Sequence, residues 1–153
     1  FDNNFRRRFF KNLINLIPIS RKPNPESLDL DDTMTLSKAF MDLGNNIIIF
    51  PEGSRGEVGK IQRFRKGAVK FSMGLDVPIL PAAIMGAEKA WPKGEKFIKP
   101  FPITVKVLPK IDPPKTKELS KTAYNKALSK ITKELEIKIS EAVKELEETK
   151  NPD

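Results

Sequence analysis

The chain has 153 residues, of which 39% are hydrophobic and 31% charged, a composition typical of a folded domain with a core. It contains no Cys and no His, which excludes disulfides, thiolate chemistry, a His general base and His-ligated metals within this chain. The net charge of +8 favours anionic partners, although solubility alone explains it equally well. Without a long apolar run, we expect neither a membrane-spanning helix nor a signal peptide in this segment.

The first part of the chain predicts two helices. Residues 5–17 space their large apolar side chains by three or four, which predicts an amphipathic helix with a basic face, ended by Pro18. A short extended piece and a Pro-rich loop follow. A second helix is predicted from Asp31 or Asp32, with Gly44 as its C-cap. Its expected inward residues are Met34, Ala39, Phe40 and Leu43.

The middle of the chain predicts strands on either side of a helix. The β-branched run "NIIIF", residues 46–50, is typical of a strand buried on both faces. Residues 66–74 predict a short helix ended by Gly74. Residues 77–85, "VPILPAAIM", predict a second buried strand, whose two prolines favour a sheet edge or an irregular end.

The last part predicts one strand and one long helix. Residues 103–108, "ITVKVL", alternate as a strand with one wetter face does. A helix is predicted from about Thr116 to Glu148, with the inward stripe Leu119, Ala123, Tyr124, Leu128, Ile131, Leu135, Ile139, Ala142 and Leu146. We expect this stripe to pack across the sheet; a coiled-coil partner is less favoured, because the stripe drifts from a heptad.

Strands that alternate with helices indicate an α/β fold with a layered sheet flanked by helices. We expect an α/β core over residues 1–112 and a C-terminal helical region, residues 113–150, that packs on this core.

The string "FPEGSR", residues 50–55, brings charged side chains to the end of a predicted strand. Gly53 allows the backbone to approach a ligand closely or to take a positive φ, and open α/β sheets bind ligands at the carboxyl ends of their strands. Arg55 is suited to bidentate binding of a phosphate, and Glu52 would orient that Arg or accept from a substrate hydroxyl. The alternative is a plain β-turn with a surface ion pair.

Two further basic positions point to the same chemistry. Arg21 follows a short extended segment, and Lys66 in "RFRKG", residues 63–67, lies near a predicted helix N-terminus, where backbone N–H groups favour anions. Taken alone, each is more often part of a solvated basic surface. Together with residues 50–55 they predict a phosphate-binding cleft.

The order of these strings resembles the glycerolipid acyltransferase family, whose best-known members are 1-acyl-glycerol-3-phosphate (lysophosphatidic acid) acyltransferases. "IPISR", "IIIFPEGSRG", "RFRKG" and "VPILPAAI" occur in the family's order, and the Phe-Pro-Glu-Gly-(Ser/Thr)-Arg string is the most specific of them. The resemblance covers nearly the whole chain and implies the family's fold, incomplete at the N-terminus.

The resemblance implies an acceptor-binding role for one set of residues: Arg21, Glu52, Gly53, Ser54, Arg55, Lys66 and Gly67. Ser54 stands where the family more often has Thr, which keeps the hydroxyl. Pro81 matches a proline linked to the acyl-donor side or to the shape of the site.

One family motif is missing from this sequence. The family's catalytic block is a His followed by four residues and an Asp, upstream of the Arg21 block, and this chain has no His. We interpret the chain as the part downstream of that block and expect it to contain no catalytic residue and to be inactive by itself. The alternative is a naturally His-less homologue.

The resemblance implies an enzyme that moves a fatty acyl group from acyl-CoA or acyl carrier protein to the hydroxyl of a lysophosphatidic acid-like acceptor. The implied enzyme requires no metal or organic cofactor. We expect association with the cytoplasmic face of a membrane, to which the basic and aromatic side chains of residues 5–10 are suited. The alternative function is a non-catalytic module that binds anionic lipid or phosphate. Nucleic-acid binding has little support, because the chain has one Trp and one Tyr, and its basic residues alternate with Glu in the last helix.

Overall fold

The computed structural model describes residues 30–54, 60–92, 94–116 and 119–150. The described elements are four helices and two strands: α1 (Leu30–Asp42), α2 (Gly67–Leu75), β1 (Ala82–Met85), α3 (Ala87–Ala90), β2 (Thr104–Val107) and α4 (Lys121–Lys150). The chain forms two compact units, Phe1–Ile48 and Ile49–Asp153. The predicted helix over residues 5–17 and the loop after it lie outside the described residues.

Helix α1 of the first unit ends as its sequence predicts. Gly44 takes a left-handed φ of 82° just after the helix, a conformation that costs glycine little. Its N–H donates to the Met41 carbonyl at 2.8 Å, and the N–H of Asn45 donates to the Phe40 carbonyl at 3.2 Å. The helix begins at Leu30, slightly before the predicted start.

The predicted inward face of α1 is only partly correct. Met34 and Phe40 are half-buried, but Ala39 and Leu43 are exposed, and Thr33 and Ser37 are fully buried instead. Residues four apart lie on one helical stripe, whereas a residue two further on lies near the opposite side. The buried stripe is therefore centred on two small polar residues that a search for apolar side chains overlooks.

The predicted strand over residues 46–50 is wrong for the described part of the chain. No described residue forms a ladder with it, and its burial alternates: Ile47 and Ile49 are half-buried, while Ile48 and Phe50 are 81% and 70% exposed. A run of β-branched residues favours extended backbone, but a strand also requires a neighbouring strand to hydrogen-bond with it.

Helix α2 extends past the predicted stop at Gly74. It continues to Leu75, and Asp76 takes the left-handed conformation at φ 53°. The Ser72 hydroxyl donates to the Val77 carbonyl at 2.5 Å, and the Val77 N–H donates to the Ser72 carbonyl at 3.1 Å. These local hydrogen bonds, and the tolerance of Asp for left-handed backbone, place the end two residues later than the glycine indicates.

Strands β1 and β2 pair antiparallel, with Cα partners from Ala82↔Val107 to Met85↔Thr104. An isolated bridge between Ile79 and Ile111 continues the pairing. Pro81 separates the bridge from β1 because it has no N–H, although its carbonyl still accepts from the Leu108 N–H at 2.9 Å. The irregular end predicted from the prolines is confirmed.

The sheet is buried on one face only, so the prediction that residues 77–85 form a buried strand is only partly correct. Ala83 is fully buried, whereas Ile84 is exposed. In β2 the alternation is confirmed, but Val105 and Val107 occupy the wetter face. The Lys106 side chain is half-buried and pairs with Glu145 of α4, because α4 packs against this side of the sheet.

Helix α4 begins at Lys121, after the predicted start. The Ser120 hydroxyl accepts from the Ala123 N–H at 3.2 Å, which is an N-cap contact. Its predicted apolar stripe is confirmed, with Leu128, Leu135 and Ala142 buried.

Two core clusters form along this stripe. One joins Leu135 to Phe64 and Ile111. The other, between α4 and α2, consists of Leu128, Val69 and Met73.

Helices and a sheet together give an α/β fold; its layering and the division at residues 112 and 113 stay predictions. Across the described ranges, no helix has the length and apolar character that crossing a bilayer requires.

Candidate functional site

The "FPEGS" string forms a tight turn. The Gly53 N–H donates to the Phe50 carbonyl at 3.1 Å, with Pro51 at the second turn position, where its fixed φ is favourable. Gly53 has a φ of +71°, in the left-handed region where a side chain is disfavoured. The prediction that this glycine is present for its backbone is therefore consistent with the turn.

Three hydrogen bonds tie this turn to the segment 60–66. The Arg65 N–H donates to the Pro51 carbonyl at 2.8 Å. The Gln62 N–H donates to Glu52 Oε2 at 2.9 Å, and the Ser54 hydroxyl donates to Gln62 Oε1 at 3.3 Å. Two strings that are separate in the sequence, "FPEGS" and "RFRK", therefore lie side by side.

The Arg65 side chain passes directly over Gly53. A Cβ added to Gly53 would lie 3.0 Å from both Cδ and Nε of Arg65. Any larger residue at 53 would have to displace this arginine as well as adopt a strained φ. Arg65 is exposed, and none of the ion pairs between described residues includes it. The turn thus carries a solvated guanidinium beside Glu52 and Ser54.

Sequence reasoning missed Arg65 as an individual site residue. It belongs to the string "RFRKG", but Lys66 was preferred because of the predicted helix N-terminus. The alternation in Arg63-Phe64-Arg65 was the available signal. An apolar side chain that points inward from an extended segment places its two neighbours outward.

Phe64 anchors the segment 60–66 to the core. Its side chain is 6% exposed and packs with Ile111 and Leu135, while its N–H donates to Glu136 Oε2 of α4 at 2.7 Å. Three backbone N–H groups of this segment therefore donate to two carboxylates and one carbonyl, and not to a neighbouring strand. This arrangement fixes the position of Arg65.

Lys66 and Gly67 lie at the start of α2. Lys66 is the residue before the helix, and its Nζ donates to the Ser129 hydroxyl of α4 at 2.9 Å. Gly67 is the first helical residue and has open space where a Cβ would be. The contact of the Lys66 amino group is thus with α4, whereas Arg65 contacts the turn. The proposed roles of both residues stay predictions.

The remaining predicted residues are not joined to the turn by these contacts. Arg21 and Arg55 lie outside the described residues. Pro81 is buried and precedes β1. The structure therefore brings together Glu52, Gly53 and Ser54 of the predicted set.

The chemistry of this cluster suits an anionic ligand with a hydroxyl nearby. A guanidinium binds phosphate through charge-assisted, often bidentate hydrogen bonds. Glu52 uses Oε2 to hold the Gln62 N–H, so its carboxylate organises the backbone of the site. The Ser54 hydroxyl is exposed beside it.

A separate open groove runs between residues 110–114 and α4. Its lining mixes both charges, for example Lys110, Asp112, Lys130 and Glu134, and includes no residue of 50–67. Lys110 and Asp112 already pair with each other at 3.0 Å. Because both carboxylates of the lining already pair with lysines, Asp112 with Lys110 and Glu134 with Lys138, most of the positive charge of this groove is neutralised, and it is a weaker candidate for phosphate than the turn.

The model of the Acyltransferase family matches residues 1–85, more than half of the chain. The chain belongs to this family. The matched range includes the turn at Glu52 and the segment around Arg65, so the clustered residues lie within the part of the chain that defines the membership.

Two plant relatives carry the same enzyme name. A 1-acyl-sn-glycerol-3-phosphate acyltransferase of Limnanthes douglasii is 42% identical over 67 residues, which are 44% of this chain and 24% of that protein. The enzyme of that name from Cocos nucifera is 33% identical over 85 residues, 56% of this chain and 27% of that protein. The chain therefore spans about a quarter of the length of these curated relatives.

One solved structure shares the fold. The 1-acyl-sn-glycerophosphate (LPA) acyltransferase PlsC of Thermotoga maritima superposes with a TM-score of 0.51 at 23% identity, and the match covers 74% of this chain and 47% of that chain. At this level of identity the likeness supports the α/β fold of the acyltransferase.

Proposed function

We propose that this chain forms the acceptor-binding part of a 1-acyl-sn-glycerol-3-phosphate acyltransferase. The reaction moves a fatty acyl group from acyl-CoA or acyl carrier protein to the hydroxyl of a lysophosphatidic acid-like acceptor. The observation that carries the proposal is the turn at Glu52–Ser54, which contains the family's most specific string and is fixed against Gln62 and Arg65. The names of the relatives support the acceptor and the reaction.

In this proposal cationic side chains hold the acceptor's phosphate. Arg55, Arg21 and Lys66 contribute charge, as the family resemblance implies, and Glu52 organises the backbone around Gln62 through its hydrogen bond. Pro81 belongs to the acyl-donor side.

The chemistry itself needs a base that this chain does not contain. The acceptor hydroxyl oxygen attacks the thioester carbonyl, a C–O bond forms and the C–S bond breaks. The hydroxyl proton passes to a base and then to the departing thiolate. With no His among the 153 residues, that base belongs to a His–Asp block outside this chain, and the chain alone binds the acceptor without turnover. No metal or organic cofactor takes part, and the enzyme acts at the cytoplasmic face of a membrane.

The test is acceptor binding measured by titration calorimetry, with lysophosphatidic acid below its micelle concentration as the probe. Arg55→Ala is expected to weaken binding roughly tenfold, the size of one lost charge-assisted contact. Arg55→Lys keeps the charge and should lose less. Arg63→Ala is the matched control, because Arg63 is exposed in the same basic string and has no described contact to the turn. Unchanged affinity in Arg55→Ala would contradict the phosphate role.

A non-catalytic lipid-binding module is the second candidate, and the absence of His from the sequence favours it. A longer form of the protein separates the two functions. Acyl transfer from acyl-CoA to lysophosphatidic acid, with turnover lost in Arg55→Ala, supports the enzyme. Acceptor binding without turnover from any thioester in that longer protein supports the module.

A further inference from the structure

The loop between α3 and β2 presents large apolar side chains to solvent. We call residues 91–103, without residue 93, the apolar loop. Phe97 is 81% exposed and Ile98 71% exposed. Three more large side chains of this loop are exposed: Trp91, Phe101 and Ile103. Large apolar side chains that are exposed close together in the chain are candidates for an interaction site.

Backbone contacts hold the apolar loop in place. The indole N–H of Trp91 donates to the Glu95 carbonyl at 2.9 Å, and the Lys99 N–H donates to the Ala90 carbonyl at 2.8 Å. Near its end, the Pro102 carbonyl approaches Gly86 so closely that a Cβ there would lie 2.3 Å from the carbonyl oxygen. Phe97 and Ile98 are thus exposed on a segment whose backbone is held in place by hydrogen bonds.

Lysines surround the exposed apolar side chains. Lys96 and Lys99 flank Phe97 and Ile98 directly in the sequence. Lys89 lies over the Phe101 ring, with Nζ 5.3 Å from the ring centroid. Between residues 86 and 103 the described residues include three Lys and two Glu, and Lys99 pairs with Glu95 at 3.3 Å. The surface therefore combines apolar side chains with net positive charge.

We propose that the apolar loop inserts into the interfacial region of an anionic lipid bilayer. Trp and Phe are favoured where one side of a ring is apolar and the other wet, and flanking Lys side chains reach anionic head groups. The lysines favour an anionic bilayer over an apolar protein surface as the partner, because an apolar protein surface offers no negative charge for them to bind. By contrast, the exposed face of the sheet around Val105 and Val107 is aliphatic.

This surface differs from the basic residues 5–10 that the sequence indicates for membrane contact, and the proposal does not depend on acyl transfer. It makes Trp91 a built-in reporter, since this is the only Trp in the chain. Trp91 is 46% exposed, so burial in lipid changes its surroundings measurably.

The experiment mixes the whole chain with vesicles of phosphatidylcholine alone or with 30% phosphatidylglycerol (about one anionic lipid in three, enough for a negative surface). Flotation measures binding, and Trp91 emission with brominated phosphatidylcholine measures insertion. We expect binding to the anionic vesicles, a blue shift of Trp91 and quenching by the brominated lipid.

Variants test which side chains carry the binding. The double variant Phe97→Ser with Ile98→Ser should bind roughly tenfold more weakly, because two apolar side chains no longer insert. Lys96→Gln with Lys99→Gln should weaken binding to anionic vesicles, more at low than at high salt. The control Val107→Thr removes an exposed apolar side chain of the sheet face and should bind as the unaltered chain does.

Three results would overturn the proposal: no binding to anionic vesicles, binding without a change in Trp91 emission, or unchanged binding by the Phe97/Ile98 variant. A blue shift that depends on protein concentration without lipid would also overturn it, since that shows self-association. Because the vesicles contain neither acceptor nor thioester, this experiment and the acceptor titration fail independently.

Discussion

The segment 60–66 and the apolar loop are both irregular backbone, yet they place their side chains in opposite ways. In the first, Phe64 is buried while Arg63 and Arg65 are exposed. In the second, Phe97 and Ile98 are exposed. Neither segment belongs to a described helix or strand, and both are held by hydrogen bonds to particular neighbours.

The difference teaches that what packs on a segment decides which side chains are buried. Helix α4 lies beside the segment 60–66, where Leu135 contacts Phe64 and Glu136 accepts its N–H. The apolar loop makes its described hydrogen bonds within residues 87–99, so they fix its backbone without covering Phe97. The segment 60–66 therefore contributes to the stability of the core, whereas the apolar loop forms an exposed apolar surface.

The largest expected effect on the free energy of unfolding comes from replacing a Phe by Ala in the segment 60–66, compared with the same replacement in the apolar loop. Phe64→Ala should lower the free energy of unfolding by about 3–5 kcal/mol, because it leaves a cavity against Ile111 and Leu135. Phe97→Ala, the matched control, should change it by less than about 0.5 kcal/mol. Urea unfolding monitored by circular dichroism measures both. Equal losses would refute the contrast between the regions.

A smaller effect is expected where the apolar loop approaches β1. Gly86→Ala combines left-handed φ strain with a clash against the Pro102 carbonyl, which should cost about 2–4 kcal/mol. Gly94→Ala has a similar φ but open space around its Cβ, so it should cost only about 1 kcal/mol of strain. Thermal unfolding of the two variants compares them. If Gly94→Ala proved the costlier change, close backbone approach would not be what fixes the loop.

The smallest effect concerns the carboxylate that holds the segment 60–66. Glu136→Ala leaves the partly buried Phe64 N–H without its acceptor and should lower the free energy of unfolding by about 1–3 kcal/mol. Glu136→Gln keeps an oxygen acceptor and should recover most of this loss. Hydrogen exchange of the Phe64 amide reports the contact directly. An amide equally protected in the Ala variant would show that the hydrogen bond is not what orders the segment.

Several features of this chain could be predicted from backbone preferences and periodicity within short stretches of sequence. The glycine after α1, the long helix with its apolar stripe, and the interruption at Pro81 all follow from backbone conformation or periodicity. The string around Glu52 also identified the family, because it is specific in itself. Each of these features depends on residues close together in the sequence.

The failures share a different cause. The apolar run 46–50 is predicted as a buried strand and is not one, and the alternation of β2 does not indicate which of its faces is wetter, because a sequence does not say which elements pack on which side. Arg65 was overlooked for the same reason. Its importance arises only when Gly53, twelve residues earlier in the sequence, lies beneath its side chain.

The sequence by itself therefore determined the family, the helical periods and the residue types available for binding an acceptor's phosphate. Tertiary structure alone decided that Gln62 and Arg65 meet the Glu52 turn, that α4 covers one face of the sheet, and that Phe97 and Ile98 face solvent. The physical reason is range: backbone preference and periodicity act over a few residues, whereas burial and long-range hydrogen bonds depend on partners that only the folded chain brings together.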